Sequence, residues 1–365
     1  MQATSLRRLY IQSEAMLLQE NIPLAPLTTF RVGGAARFFV EAASRAEVEE
    51  AVAYARAHAL PSFVLGGGSN LVVSDAGWPG LVLKVAVDGI ERRAGMEDGE
   101  VLFDVGAGES WDRFVSHAVA AKCAGVECLS GIPGSVGGTP VQNVGAYGQE
   151  VSQTIESVEV FDTKDGQVRE LCREACGFAY RTSIFNTSER GRFIILRVTY
   201  ALTPGGEPLL AYEDLKRHFG GRETRPNLAE VREAVRHIRA RKGMLIVDGN
   251  TDCHSAGSFF KNPVLSAEQL SDVQKRATAK GLTLPSYPAL ASSHKVSAAW
   301  LVEKSGFARG YGFGHVGISS KHALAIVNRG GATAAEILAL KDEIQHRVEE
   351  IWGVHLEPEP VMVGF

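Results

Sequence analysis

The chain is poor in several features that mark common protein classes. It has five cysteines in 365 residues, Cys123, Cys128, Cys172, Cys176 and Cys253. The number is odd and no two stand as Cys-x-x-Cys, so reduced thiols in a cytoplasmic protein are expected, not a disulfide frame or a zinc site. No apolar run reaches the length of a membrane span. Residues 1–14 carry Arg7 and Arg8 but no apolar core or small-residue cleavage site, which excludes a convincing secretory leader. Basic charge is not in excess: the formal net charge is −4 and the pI about 6.2, which argues against general nucleic-acid binding. A Walker loop and an HExxH helix are both missing, and Pro133 stands where a GxSxG elbow at Ser135 would need glycine. Asp252, Cys253 and His254 are adjacent, and adjacent side chains rarely converge on one ion, so no metal is expected.

Glycine, by contrast, is plentiful, with 39 residues. Six of them, Gly131, Gly134, Gly137, Gly138, Gly145 and Gly148, crowd into residues 131–150 with Pro133 and Pro140. Such a run is neither a packed helix nor a central strand, because glycine is costly to order and proline has no N–H to donate. It is not a solvated linker either, since Ile132, Val136, Val141, Val144 and Tyr147 favour burial and charge is nearly absent before Glu150. A buried irregular loop must satisfy its backbone groups. The economical reading is a loop wrapped around a large polar ligand through its amides; consecutive tight turns between strands are the alternative.

The remainder, 45% hydrophobic and 22% charged, is ordinary for a globular protein of two or three domains. Residues 1–20 read as an extension, with Met16 as a possible alternative start. Residues 37–41 read as a strand, Ser44-Arg45-Ala46-Glu47 as a capping box, and the following helix buries Val48, Val52 and Ala55 before Pro61. Residues 62–65 complete a βαβ unit that runs into Gly66-Gly67-Gly68-Ser69-Asn70. A Rossmann fingerprint must open a helix, and here the strand-like run Leu71-Val72-Val73 follows. A nest of amides for phosphate and a glycine hairpin both remain open.

Further strands are expected at 81–85 and 101–105, separated by a polar turn near 97–100, and an antiparallel pair at 155–162 and 193–203. Helices are expected at 111–122, 227–241, 266–280, 294–305 and 333–352. Ile337, Leu340, Ile344, Val348 and Ile351 form one apolar stripe on the last. Arg232, Arg236 and Arg239 recur on one face of the 227–241 helix, either as a solvated basic face or with the last turn, Arg239 to Lys242, reaching an anion.

Three isolated reactive groups stand in apolar settings: Arg181 among Phe178, Tyr180, Ile184 and Phe185, Ser258 before Phe259-Phe260, and Glu359 between two prolines. Singly they read as an exposed arginine, a cap and an edge-strand carboxylate. Together they suit proton transfer to a carbon beside a carboxylate, with a cation holding the enolate and a hydroxyl supplying the proton.

Leu27-Thr28-Thr29-Phe30-Arg31-Val32-Gly33-Gly34, the Gly66–Asn70 run, the 131–148 loop, Tyr180-Arg181-Thr182-Ser183-Ile184-Phe185, Gly257-Ser258-Phe259-Phe260-Lys261-Asn262-Pro263 and Leu356-Glu357-Pro358-Glu359-Pro360 occur in one order. From about residue 20 to its end the chain resembles the UDP-N-acetylenolpyruvoylglucosamine reductase (MurB) family. The resemblance implies an α+β fold: a two-part FAD-binding fold of the vanillyl-alcohol-oxidase type and a separate α/β substrate-binding domain. On that pattern residues 1–19 are an extension. Residues 20–85, joined by 353–365, form one FAD subdomain, 86–245 the second, and 246–352 the substrate domain. It implies non-covalent FAD, NADPH as reductant, and UDP-N-acetylglucosamine enolpyruvate as substrate.

By motif match, Ser258 resembles the proton donor, and Arg181 and Glu359 the pair that stabilises the enol. Tyr180, Lys242 and Asn262 resemble substrate contacts. The 204–225 insertion resembles a lid carrying Tyr212. Cofactor contacts are implied for Gly66, Gly67, Gly68, Ser69, Asn70, Gly131, Ile132, Pro133, Gly134, Gly137, Asn143, Gly145, Ala146 and Arg239. A cytoplasmic monomer without nucleic-acid or membrane partners is implied. Departures from the pattern are Thr182 where aspartate is common, Tyr311-Gly312-Phe313 where one form has a substrate-touching glutamine, and a longer loop between Lys242 and Ser258.

Two rival readings are an oxidase of the same fold and a nucleotide-binding scaffold without catalysis. The first would need a proton-accepting base and often a flavin tether, for which only His117 and Cys123 lie near, and neither is in the loops. The second should have lost Ser258 or Glu359, and both are present.

Overall fold

The computed structural model describes residues 16–95, 99–289, 293–312 and 314–365. The polar turn expected near 97–100 lies partly outside the described residues, as do Phe313 and the first fifteen residues of the expected extension. In chain order the strands are β1 (Gln19–Pro23), β2 (Ala35–Ala42), β3 (Ser62–Leu65), β4 (Leu71–Val73), β5 (Trp78–Val85), β6 (Ile90–Ala94), β7 (Val101–Gly106), β8 (Cys123–Ala124), β9 (Gly145–Ala146) and β10 (Gln149–Glu150). They continue as β11 (Ile155–Asp162), β12 (Gln167–Cys172), β13 (Phe193–Pro204), β14 (Val264–Leu265), β15 (Ser286–Pro288), β16 (His294–Val296), β17 (Val316–Ile318), β18 (Ile326–Asn328) and β19 (Val361–Val363). The α-helices are α1 (Arg45–Ala57), α2 (Trp111–Ala120), α3 (Glu213–Phe219), α4 (Leu228–Arg241), α5 (Ala267–Ala279), α6 (Ala298–Lys304) and α7 (Ala334–Trp352).

Two compact units divide the chain. The first takes the described residues of Met1–Ile22, Ala36–Gly68 and Trp78–Ala240; the second takes those of Pro23–Ala35, Ser69–Gly77 and Arg241–Phe365. Residues 20–85, which the motif pattern groups together, are thus shared between the two.

In the first unit β1, β2, β5 and β3 form a sheet in that order. β5 lies between the strands that flank α1 and runs parallel to both. The capping box at Ser44 and Glu47 opens α1. Val48, Ala51 and Ala55 are its buried face, and Val52 is only half-buried. Met16 and Leu18 sit in the core of this unit. A second sheet runs β12-β11-β13-β7-β6, with β8 beside β13. β6 and β12 had no clear signal in the sequence, because their exposed faces carry Glu91, Arg92 and Arg93 on one and Gln167 and Cys172 on the other. Trp111 and Phe114 from α2 pack on Phe103 and Tyr200 from β7 and β13, with Phe114 and Tyr200 ring centroids 4.8 Å apart.

The second unit is built around α7. Ile337, Leu340, Ile344 and Val348 are buried as expected, but Trp352 and not Ile351 completes the face, one helical turn beyond Val348. Trp352 Nε1 donates to Ser305 Oγ at 3.0 Å, which satisfies its buried indole. The helix expected over 294–305 is a strand followed by a shorter helix. His294–Val296 pairs with β14 and β15, and the Ser297 side chain then caps α6. β19 pairs in parallel with β4.

The start of α7 is doubly capped. Thr333 and Glu336 form a capping box. Asp75 accepts the N–H groups of Ala334 at 2.8 Å and Ala335 at 3.0 Å. A carboxylate at the positive end of a helix is favourable. Asp75→Ala should therefore cost about 1 kcal/mol and lower the melting temperature by roughly 2–4 °C. A calorimetric scan of the variant against wild type checks this.

Candidate functional site

The glycine loop takes its shape from neighbours. The Asp112 carboxylate, in the first turn of α2, accepts the Gly131 N–H at 2.6 Å. It also takes both Arg232 amino groups, at 2.7 and 3.0 Å, and Arg236 Nη1 at 2.7 Å. Arg239 Nε donates to the carbonyl on the other side of the same residue, Gly131 O, at 3.1 Å. The arginine face of α4 is therefore not a solvated stripe. It holds the loop, and Arg239 is buried. Burial would raise the Asp112 carboxyl, but the Arg232 hydrogen bond, the Gly131 N–H and the charges of Arg232 and Arg236 outweigh it and hold it below its ordinary value. Burial lowers Arg239, opposed by the Tyr147 hydroxyl and the Asp112 carboxylate; a guanidinium remains charged.

The loop backbone continues along the segment before α2. Val136 N–H donates to Glu109 O and Gly137 N–H to Ala107 O, at 2.9 and 2.8 Å. A Cβ on Gly137 would stand 2.7 Å from Ala107 Cβ. Buried aromatics supply polar anchors: Trp111 Nε1 donates to Leu129 O at 3.0 Å, and Tyr200 Oη shares a 2.8 Å hydrogen bond with Thr139. Asn143, in the left-handed region at φ 45°, spends its amide on Glu150, Ala179 O and the Ser152 N–H. Gly131, Gly137 and Asn143 thus serve first to hold the loop. Gly145 and Ala146 pair with Glu150 and Gln149 in a two-stranded turn.

Gly66 to Gly68 are not a hairpin, since β3 pairs with β5 and β4 with β19. They meet the second turn of the glycine loop. A Cβ on Gly67 would lie 2.4 Å from Gly134 Cα, and one on Gly66 would lie 3.0 Å from Ser135 Oγ. Ser135 is buried and its Oγ has no hydrogen-bond partner among the described residues. Two glycine backbones in contact beside an unspent buried hydroxyl suit a phosphate-bearing group. The sequence around Ser135 carries no ligand signal beyond the glycines, because Pro133 removes the nucleophile elbow. Ile132 and Pro133 complete that turn.

Arg181 stands at the apex of a tight turn, between Ala179 and Thr182, which exchange both backbone hydrogen bonds. Its φ is 55°, a strained value for a side-chain-bearing residue. Nη2 donates to Gly145 O at 2.9 Å, and the guanidinium lies 5.4 Å from the Tyr180 ring centroid. Tyr212 begins α3, is exposed, and meets Tyr147 edge-on at 5.4 Å.

Ser258, Glu359, Lys242 and Asn262 belong to the second unit, as do Ser69 and Asn70. There the Glu359 N–H donates to Phe259 O at 2.8 Å, and Phe260 bridges Pro358. Ser258 and Glu359, 101 positions apart in sequence, are brought onto adjoining segments and both are half-buried. Phe259 and Phe260 are buried and anchor that segment. Asn70 Nδ2 donates to Glu359 O at 3.2 Å, and Asn70 O accepts the Val361 N–H at 2.9 Å, so Asn70 brackets Glu359. Asn262 Oδ1 accepts the Ala298 N–H at the start of α6, at 2.9 Å. Lys242 is half-buried just after α4. Tyr311 turns to Glu343 at 2.9 Å, and Arg329 donates to the carbonyls of Gly310, Tyr311 and Gly312.

Asp112→Asn leaves two arginines without their carboxylate. It should destabilise the protein by about 2–3 kcal/mol at pH 7 in urea denaturation. A lowered carboxyl contributes stability that is whole above its ordinary value of 3.8 and lost as pH falls through the lowered one. The gap between variant and wild type should therefore shrink on acidification through that range. A gap that stays constant with pH would contradict the role assigned to Asp112.

Residues 36–171 match the family model of an FAD binding domain. Residues 249–363 match that of the UDP-N-acetylenolpyruvoylglucosamine reductase C-terminal domain. The chain is 45% identical over 350 residues to UDP-N-acetylenolpyruvoylglucosamine reductase of Thermobifida fusca, covering 94% of this chain and 97% of the relative. It is 44% identical over 350 residues to the enzyme of that name from Streptomyces coelicolor, covering 94% and 90%. The crystal structure of the Thermus caldophilus UDP-N-acetylenolpyruvylglucosamine reductase is similar with a TM-score of 0.62 at 29% identity, over 95% of this chain and 99% of that one. An α+β chain with an FAD-binding domain, related over nearly its whole length to these enzymes, belongs to the UDP-N-acetylenolpyruvoylglucosamine reductase family.

Proposed function

We infer that this chain reduces UDP-N-acetylglucosamine enolpyruvate to UDP-N-acetylmuramate, a peptidoglycan precursor, with FAD as bound cofactor and NADPH as reductant. The observation that carries the chemistry is the pairing of the Glu359 N–H with Phe259 O, which gives Ser258 and Glu359 adjoining segments. We further propose that it works as a cytoplasmic monomer; among the described residues no helix is long and apolar enough to cross a membrane.

The cradle of Gly66, Gly67, Gly68, Gly134 and Ser135 fits the cofactor pyrophosphate, with Arg239 as its buried cation. Bound there, FAD reduced by NADPH would supply the hydride chemistry that the substrate's terminal methylene carbon requires. The Ser258 hydroxyl then gives its proton to the carbon beside the carboxylate and recovers one from water. A hydroxyl is a weak acid, so the enolate must be held until the proton arrives. Arg181 and Glu359 are the proposed pair that stabilises it, with Arg181 supplying the positive charge. Gly145 O, accepting from Arg181 Nη2, limits where that charge points. Tyr180, Lys242 and Asn262 are proposed substrate contacts, and Tyr212 the residue that closes over the nucleotide sugar.

Ser258→Ala should leave reduction of the flavin by NADPH within about two-fold of wild type. Reoxidation by the enolpyruvyl nucleotide sugar should slow by about 100-fold or more. Stopped-flow absorbance separates the two half-reactions. Near-normal turnover in the variant would remove Ser258 as the proton donor, and a colourless protein without affinity for FAD would overturn the reductase reading itself.

A further inference from the structure

Glu127 carries a carboxylate with no surface exposure, and the chemistry above does not use it. It follows β8, just ahead of the glycine loop. Among the described residues its three partners are all N–H groups. Oε2 accepts from Gly125 N–H at 2.8 Å. Oε1 accepts from Gln149 Nε2 at 2.8 Å and from Leu209 N–H at 2.9 Å. Gln149 in turn accepts the Cys128 N–H at 2.8 Å, and Cys128 Sγ donates to Leu209 O at 3.2 Å. Leu209 is thus held at both its N–H and its carbonyl by two adjacent residues. Burying a carboxylate is costly, and charge-assisted bonds are stronger than those a neutral amide of the same shape would make.

Leu209 lies near the root of the 204–225 segment. Six residues on, Leu215 is buried with Tyr147, Val231, Ala234, Val235 and Ile238. Tyr212 stands between these two anchors, with its ring against Tyr147. Tyr147 in turn bonds Arg239. Fixing both flanks leaves Tyr212 few positions.

We propose that Glu127 is a positioning residue for the substrate. Its carboxylate, with Cys128 Sγ, clamps Leu209 to the glycine loop and so sets where Tyr212 stands, without entering the chemistry. The proposal rests on the reading of Tyr212 as a substrate contact of the reductase.

Two variants of the FAD-loaded full chain test it. Glu127→Gln keeps the shape and removes the charge. Leu209→Pro removes the clamped N–H at a residue whose side chain is exposed. In both, KM for the enolpyruvyl nucleotide sugar should rise about tenfold, equivalent to about 1.4 kcal/mol. The kcat and the rate of flavin reduction by NADPH should stay within about two-fold. Amide exchange at 209–214, measured without substrate, should quicken. Unchanged KM in either variant overturns the proposal. So does a joint loss of kcat, flavin content and melting temperature in Glu127→Gln, which would mark a merely structural carboxylate. Wild-type protein that fails to consume the substrate would sink the reductase reading, and unchanged exchange at 209–214 would sink the clamp by itself.

Discussion

The peptide at Gly131 is held from both sides, and the cofactor half of the molecule depends on it. Its N–H meets the Asp112 carboxylate and its carbonyl meets the Arg239 guanidinium. Asp112 is acceptable in this half-buried place because Arg232 and Arg236 share its charge. One carboxylate thereby joins α2, α4 and the start of the glycine loop. The loop has no ladder of its own beyond the short turn at 145–150. Its order is borrowed from the segment before α2, through Ala107 and Glu109, and from the aromatic core, through Trp111 and Tyr200. A loop held in this way can stay open-backed toward a ligand without collapsing.

The second unit uses the same device at a smaller scale. Asn70 brackets Glu359 with its side chain and its carbonyl. Asp75, five residues later, caps α7. Gly77, at φ 78°, would put a Cβ 2.0 Å from Ala35 O, so only glycine lets those backbones touch. Part of the 27–34 motif is close backbone packing of this kind. Gly33 is a second instance, with a Cβ that would fall 2.5 Å from Val73 Cβ.

The regular elements were legible because local rules govern them. The capping boxes at Ser44, Ser266 and Thr333 lie where the pattern of Ser or Thr followed by Glu or Gln places them. The 294–305 segment misled because its apolar spacing suits a helix, whereas pairing with β14 and β15 claimed its first three residues. The edge strands at 90–94 and 167–172 gave no signal because exposed strands need not alternate apolar and polar residues. Arg232 and Arg236 read as a solvated face because their partner, Asp112, stands 120 and 124 residues away.

The amino-acid sequence by itself determined the helices α1, α2, α4, α5 and α7, the strands β2, β3, β4, β5, β7, β11 and β13, the irregular glycine loop and, through its ordered motifs, the family. Composition and spacing were enough for the elements and the loop because they record local propensity and backbone permissiveness. Only the tertiary structure decided what each polar group spends itself on. It turned Asp112 from a helix residue into the clamp of Gly131, Glu127 into a buried hub, and Ser135 into an unspent hydroxyl beside Gly66. The reason is physical. A buried polar group is defined by its partner, and partners in this fold lie up to about three hundred residues apart, where no local pattern reaches.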